Sequence, residues 1–173
     1  MPLLHPHPTT PTPWLDSLQV DLTPRADGSL ALCYRLRGAF ARLRLPSPAP
    51  RQATDGLWQH TCCEVFLRGA DAPVYREFNF SPSGAWAAYR FQAYREGGCN
   101  LELADPGIAC QLHGDEWQLH AILPPQVAPC GPGRMGLSVV IEDRDGAKSY
   151  FALHHPGERP DFHHPDSFVL ELA

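Results

Sequence analysis

The run VYREFNFSPSGAWAAYRFQAY, Val74 to Tyr94, sets a carboxylate (Glu77), an amide (Asn79), a guanidinium (Arg90) and two large aromatics (Tyr75, Trp86) on either side of Ser81-Pro82-Ser83-Gly84. Pro at the second and Gly at the fourth position is the composition of a type I turn, so the flanking segments are predicted to pair as a hairpin. With those four residues as the loop, Phe80 faces Ala85, Asn79 faces Trp86 and Glu77 faces Ala88. Side chains alternate across a strand, so Phe78, Phe80, Ala85, Ala87, Tyr89 and Phe91 then share an apolar face. Tyr75, Glu77, Asn79, Trp86, Ala88, Arg90 and Gln92 share the other, and a slip of one residue would exchange the sets. Flat aromatics beside convergent donors and acceptors suit a sugar, whose C–H faces stack on a ring and whose hydroxyls need fixed partners. The competing reading is structural: Trp86 and Tyr75 lie under a neighbouring loop and Glu77 pairs with Arg90.

Upstream, DGLWQHTCCEVF joins a Gly turn to a strand on which Cys62, Glu64 and Phe66 share one face and Cys63, Val65 and Leu67 the other. The second set is wholly apolar, which directs Glu64 away from the main core or gives it a buried partner such as Arg90, Arg68 or a Tyr hydroxyl. Trp58 and His60 then stand at the rim of the same sheet, closing one side of a pocket floored by Trp86. The candidate ligand-binding set is Trp58, His60, Glu64, Tyr75, Glu77, Asn79, Trp86 and Arg90. Glu64 and Glu77 could also form a glycosidase pair, which needs two carboxyl groups roughly 5 to 10 Å apart and one raised pKa. The sequence has no GxSxG elbow, HExxH or P-loop, so no catalytic residue is assigned and a non-enzymatic role is expected.

LHHPGERPDFHHP duplicates a His-His-Pro unit at His154, His155, His163 and His164. Adjacent residues on an extended chain point opposite ways, so each pair offers one ligand to a common ion, and two ligands fall short of the three or four that a stable site needs. No metal is expected, and the histidines read as a rim loop bonded to backbone groups; haem ligation there is the alternative. GPGRMG, Gly131 to Gly136, matches the dinucleotide pattern GxGxxG literally, but Pro132 lies inside it and LSVVIED follows as a strand where a helix is required, so it reads as a loop.

Nineteen prolines and fourteen glycines among 173 residues punctuate the chain every few positions and leave no room for ordinary helices. Alternating segments follow: LQVDL, LALCYRLRG, FARLRL, TCCEVFLRG, the hairpin, LELAD, GIACQLHGD, EWQLHAILP, GLSVVIEDRDG, KSYFALHH and SFVLEL. About ten short strands predict an all-β domain, a two-sheet antiparallel sandwich over residues 14–173 preceded by a flexible Pro-rich arm at 1–13. Fourteen Lys and Arg against nineteen Asp and Glu give a net charge of -5 with the basic residues scattered, so no nucleic-acid footprint is present. The N-terminus lacks a cationic start and an apolar run, and no segment approaches the ~20 apolar residues of a membrane helix, so a cytoplasmic chain without membrane contact is expected. In that reducing setting the six cysteines (Cys33, Cys62, Cys63, Cys99, Cys110, Cys130) are expected as small buried hydrophobes rather than disulfides.

DGLWQHTCCEVFL, YREFNFSPSGAWAAYRFQAYR and SYFALHHPGERPDFHHPDSFVLEL together resemble the bacterial DOMON-like domain proteins, relatives of the DOMON and family 9 carbohydrate-binding-module domains. The resemblance runs from about Trp14 to the C-terminus. It implies an immunoglobulin-like or jelly-roll β-sandwich that binds a sugar or haem without catalysis of its own. Two departures stand out: the signal peptide or membrane partner of extracellular members is not visible, and Met135, the internal Met, has no evident His partner for a Met–His haem. The function expected is a non-catalytic module for a small ligand, a carbohydrate or sugar-containing metabolite. The alternatives are a haem or redox module, a glycoside-active enzyme, and a protein-interaction sandwich working through its free edges.

Overall fold

The computed structural model describes residues 1–70, 72–127 and 131–172. Its strands are β1 (Leu3–Pro6), β2 (Leu15–Pro24), β3 (Leu30–Gly38), β4 (Cys62–Gly69), β5 (Tyr75–Phe80), β6 (Trp86–Phe91), β7 (Cys99–Asn100), β8 (Ala109–His113), β9 (Glu116–Leu123), β10 (Gly133–Glu142), β11 (Lys148–Ala152) and β12 (Leu170–Leu172). The helical elements among the described residues are 3-10 turns of three residues each, as the density of proline and glycine requires.

The strands pair antiparallel in the order β7-β6-β5-β4-β10-β11-β1-β2-β3-β9-β8, with β12 on β10. β1 pairs with β2 on one side and β11 on the other, so the antiparallel sheet is continuous and curls on itself as a half-barrel. That same pairing corrects the reading of residues 1–13. The segment is extended, as its prolines dictate, but Leu4 and His7 are buried and β1 is bonded on both edges.

Period-two alternation fills the core. Trp117, Leu119, Ala121 and Leu123 of β9 alternate with more exposed residues, and so do Leu18 and Val20 of β2 and Leu32, Tyr34 and Leu36 of β3. They meet Cys63, Val65 and Leu67 of β4, Phe78 and Phe80 of β5, and Met135, Leu137, Val139 and Ile141 of β10 in one cluster. Tyr34 is fully buried there, and its hydroxyl donates to the Glu64 carbonyl at 2.8 Å, so its polar tip is satisfied inside the core.

Three local expectations differ from the structure. FARLRL forms a 3-10 turn at Phe40–Arg42 rather than a strand. LELAD leaves the sheet after Asn100 and passes over Trp86, whose Nε1–H donates to the Leu103 carbonyl at 3.0 Å. Cys33, Cys62 and Cys63 are buried free thiols as expected, whereas Cys99 and Cys110 are exposed free thiols on the edge strands β7 and β8; Cys130 lies outside the described residues.

The outer face of β4, β5, β6, β10 and β11 is not bare. A second cluster of Phe66, Tyr75, Val140, Ala152, Phe162 and Phe168 packs on it, the last two supplied by the segment between β11 and β12. Gly136 of β10 makes that crossing possible, since a Cβ there would lie 2.7 Å from Phe168 Cδ1. The last glycine of GPGRMG is thus a site of close chain approach within a strand.

Candidate functional site

The hairpin of β5 and β6 sets the site, in a register one residue away from the expected one. Phe80 pairs with Trp86, Asn79 with Ala87, Glu77 with Tyr89 and Tyr75 with Phe91. Gly84 N–H donates to the Ser81 carbonyl, Ser81 N–H donates to the Ala85 carbonyl, and Gly84 has φ +94°. This is a type I turn followed by a left-handed glycine, the three-residue loop with a G1 bulge. The loop proper is Pro82-Ser83-Gly84, so the faces of β6 are exchanged relative to the four-residue reading.

Trp86 therefore joins the core at 7 % exposure, and Arg90 takes the same face of β6, opposite to Glu77. Neither lines the cavity described below. Tyr89 and Phe91 stand beside Tyr75, Glu77 and Asn79 instead. The stacking platform assigned to Trp86 and the guanidinium assigned to Arg90 are corrected accordingly.

On this outer face lies an open cavity of about 590 Å³, within the roughly 300 to 1,000 Å³ typical of small-ligand sites. Its floor is Glu64 of β4, Glu77 of β5, Tyr89 and Phe91 of β6, Val140 of β10 and Tyr150 of β11. Asp55, Gly56 and Trp58, at the start of the Leu57–Gln59 turn, form one wall, with Asn100 of β7 beside them. Pro160, Phe162 and His163 form the facing wall, and Arg95 closes the end from the β6–β7 connection. Trp58 is 51 % exposed, a large apolar ring held at the cavity mouth. His60 turns away, its Nδ1 2.7 Å from Glu142 Oε2.

The two glutamates are the chemically unusual members, 2 % and 4 % exposed at Glu64 and Glu77. Ser138 Oγ donates to Glu64 Oε2 at 3.2 Å; the expected arginine or tyrosine partner is not the one used. Asn79 Nδ2 donates to Glu77 Oε1 at 2.8 Å, so Asn79 acts beneath Glu77 rather than on the cavity wall. Burial pushes Glu77 up to about 7 against the pull of Asn79 and Arg95, and burial together with the charge of Glu77 raises Glu64 well above the ordinary carboxylate range.

A relay orients the histidine facing Glu77. Arg95 N–H donates to Tyr75 Oη at 3.1 Å, which directs the Tyr75 hydroxyl proton to His163 Nδ1 at 2.8 Å. The ring proton of the neutral imidazole then sits on Nε2, 3.6 Å from Glu77 Oε2. Burial, assisted by Arg95, lowers His163 to about 4, so it is neutral at pH 7. The Arg95 guanidinium is held by Asp161 Oδ1 at 2.8 Å, and Asp161 Oδ2 accepts from Tyr94 at 2.5 Å. Opposite, Asp55 Oδ1 accepts from Tyr89 Oη at 3.1 Å and Asn100 Nδ2 at 3.2 Å.

The His-His-Pro pairs are not gathered around an ion. His163 lines the cavity, His164 Nδ1 accepts from Asp166 N–H, His155 Nε2 lies 2.9 Å from the His5 carbonyl, and His154 is exposed. Among the described residues no three His, Cys, Asp or Glu side chains are grouped to hold a metal. Met135, weighed as an axial ligand, is buried in the core on the opposite face of β10 from Val140.

Asp55, Tyr89, Phe91, Arg95, Asn100, Tyr150 and Phe162 are cavity residues that the sequence pattern did not single out. Two signals existed: Gly84 as a left-handed loop residue, which exchanges the faces of β6, and the KSYFA alternation, which directs Tyr150 and Phe151 to opposite faces. Arg95 and Phe162 sit in irregular segments with no periodicity to read.

No protein-family model and no curated protein matches the chain. Among solved structures, a "putative carbohydrate-binding protein" of Bacteroides uniformis ATCC 8492 aligns with TM-score 0.62 and 17 % identity over 88 % of this chain and 75 % of that one. Two structures of a family 9 carbohydrate-binding module of Caldicellulosiruptor kristjanssonii align at 13 % identity. The glucose complex has TM-score 0.43 over 79 % of this chain and 66 % of that one, and the cellotriose complex 0.46 over 87 % and 72 %. The alignment with the Bacteroides protein places this chain in the same all-β fold.

Proposed function

We propose that this chain is a non-catalytic module that binds a carbohydrate or a sugar-containing metabolite in the cavity between Trp58 and His163. The observation that carries the reading is the composition of that cavity: aromatic surfaces from Trp58, Tyr89, Phe91 and Tyr150 around the hydrogen-bonding groups of Asp55, Glu64, Glu77, Arg95 and Asn100. Stacking surfaces and fixed donors and acceptors in one apolar-walled cleft are the complement of a pyranose. The fold shared with a protein whose name assigns it to carbohydrate binding agrees with this reading.

Binding is favoured over hydrolysis by the placement of the two glutamates. Glu64 stands opposite Asn79 and Glu77 opposite Phe66, so the carboxyl groups rise side by side from adjacent strands of one floor. A glycosidase pair flanks the scissile bond, with one group ionised while the other is protonated; here burial moves both in the same direction.

The test is titration of the protein with a panel of mono- and disaccharides, followed by calorimetry and by tryptophan fluorescence. A saturable response to one sugar class, reduced at least tenfold in Trp58→Ala with unchanged thermal stability, is the expected result (about 1.4 kcal/mol of stacking). No response to any sugar, or turnover of chromogenic glycosides that disappears in Glu77→Gln, would overturn the reading.

A further inference from the structure

The ionisable groups around the cavity are mostly acidic. Glu64 and Glu77 face it from the floor and Asp55 from the wall, while the cation that lines it, Arg95, is already matched by Asp161 at 2.8 Å. His163 contributes no charge at pH 7, and burial with the Asp55 hydrogen bond pushes the Tyr89 phenol up to about 12, so it is neutral there as well; Tyr150 lines the floor from β11. Tyr75 is tied to His163. The acidic groups thus exceed the basic ones among the described residues of the site, and the two carboxyls of its floor are almost wholly buried.

The spare acceptor capacity points into the cavity. The hydrogen bond to the Glu64 side chain uses Oε2, leaving Oε1 without a donor among the described residues. Among the described residues Glu77 Oε2 has only His163 Nε2, at 3.6 Å, beyond hydrogen-bonding distance. A buried carboxylate without donors is costly, and the raised titration of both groups expresses that cost. An ammonium offers three donors on a compact head and stabilises the ionised form of a carboxyl beside it. The surrounding rings favour it too, because the faces of Trp58, Tyr89, Phe91 and Tyr150 attract cations through their quadrupoles.

We propose that the ligand of this cavity is an amine-bearing sugar, its ammonium seated on Glu64 and Glu77 and its ring against Trp58 and Tyr89. The proposal rests on the carbohydrate reading above and narrows it to a cationic class. No bond of the sugar changes; the ammonium favours loss of one proton from the carboxyl pair, one O–H bond breaking and its proton passing to buffer, so that one carboxylate faces one cation while the pair keeps its other proton.

The experiment is calorimetric titration of the wild-type protein with glucosamine, glucose and N-acetylglucosamine near pH 7, in two buffers of different ionisation enthalpy. The expected result is glucosamine binding at least about tenfold tighter than the two neutral sugars, the factor one desolvated charge pair readily supplies. Its heat should depend on the buffer because protons are released. In Glu77→Gln or Glu64→Gln, glucosamine should lose its advantage; the wild-type comparison alone decides the matter if neither variant folds. Equal or tighter binding of glucose or N-acetylglucosamine would overturn the cationic class and leave the carbohydrate reading standing. Failure of all three, together with the wider panel, would overturn both.

Discussion

Glu77 and His163 face each other across 3.6 Å, and burial has moved each toward its neutral form, the carboxyl from 4.5 up to about 7 and the imidazole from 6.5 down to about 4. The consequences for stability have opposite signs. A raised carboxyl contributes stability that is whole below its unfolded value and is lost as pH climbs from about 4.5 to 7. A depressed histidine contributes stability that is whole above 6.5 and is lost as pH falls toward 4. Between 4.5 and 6.5 the two slopes oppose, so neither is read from the wild type alone. Relative to wild type, Glu77→Gln should gain stability as pH rises from 4.5 to 7, at up to about 1.4 kcal/mol per pH unit. His163→Gln should gain relative to wild type as pH falls from 6.5 to 4. Glu64 adds a slope of the same sign as Glu77, kept by burial in both variants and reduced in Glu77→Gln, where the Glu77 charge that helps raise it is gone. Urea midpoints of the three proteins across this range at constant ionic strength are the measurement, and parallel curves would dismiss the neutral pair.

The hairpin shows how far an element can be read from its residues. Its first strand was legible in full: Phe78 and Phe80 go to the core, and Tyr75, Glu77 and Asn79 to the other face, because the alternation is unambiguous. Its second strand was not, since WAAYRF carries large residues at both parities and only the loop length decides between them. Gly84 belongs equally to a four-residue type I turn and to a three-residue loop with a left-handed third residue; the structure uses the second. One residue of loop then moves Trp86 and Arg90 off the site and brings Tyr89 and Phe91 onto it. Gly84→Ala should cost about 1–2 kcal/mol, the price of holding an L-residue at φ +94°, because the nearest atom a Cβ would meet is 3.9 Å away and the strain lies in the backbone. Gly84→Asn should recover part of it. Trp86→Ala, in this register, should cost about 3–5 kcal/mol of stability as a core truncation. Chemical denaturation separates the two readings of Trp86: loss of sugar binding with undiminished stability would restore it to the site.

At the scale of the whole molecule, β1 is the element that makes one sheet of two halves and fastens the wall of the cavity. It pairs Leu3 and Leu4 with Gln19 and Leu18 of β2, and His5 and Pro6 with Ala152 and Phe151 of β11. Just beyond it, His7 N–H donates to the Tyr150 carbonyl, and His7 Nε2 lies 3.2 Å from the Gly157 carbonyl. The His155 ring meets the His5 carbonyl at 2.9 Å and packs edge-on against His7 at 4.9 Å. Through these contacts the segment that carries Phe162 and His163 to the cavity is tied to the start of the chain. The prolines around β1 suggested a loose arm; they leave the backbone extended, and burial of Leu4 does the rest. The pairing joins residues about 150 positions apart, a separation no local pattern reports. Removing residues 2–7 should therefore do two things together. It strips a buried leucine and a strand paired on both edges, a loss of at least about 2–5 kcal/mol on the scale of large-to-small core substitutions. It should also speed amide exchange at 158–168 and weaken ligand binding in proportion, because the cavity wall loses its fastening. Leu4→Ala isolates the first effect: the expected outcome is lowered stability with native exchange at the wall. Native exchange and full affinity in the truncated chain would show that the wall is held by Phe168 against Gly136 and Phe66 alone.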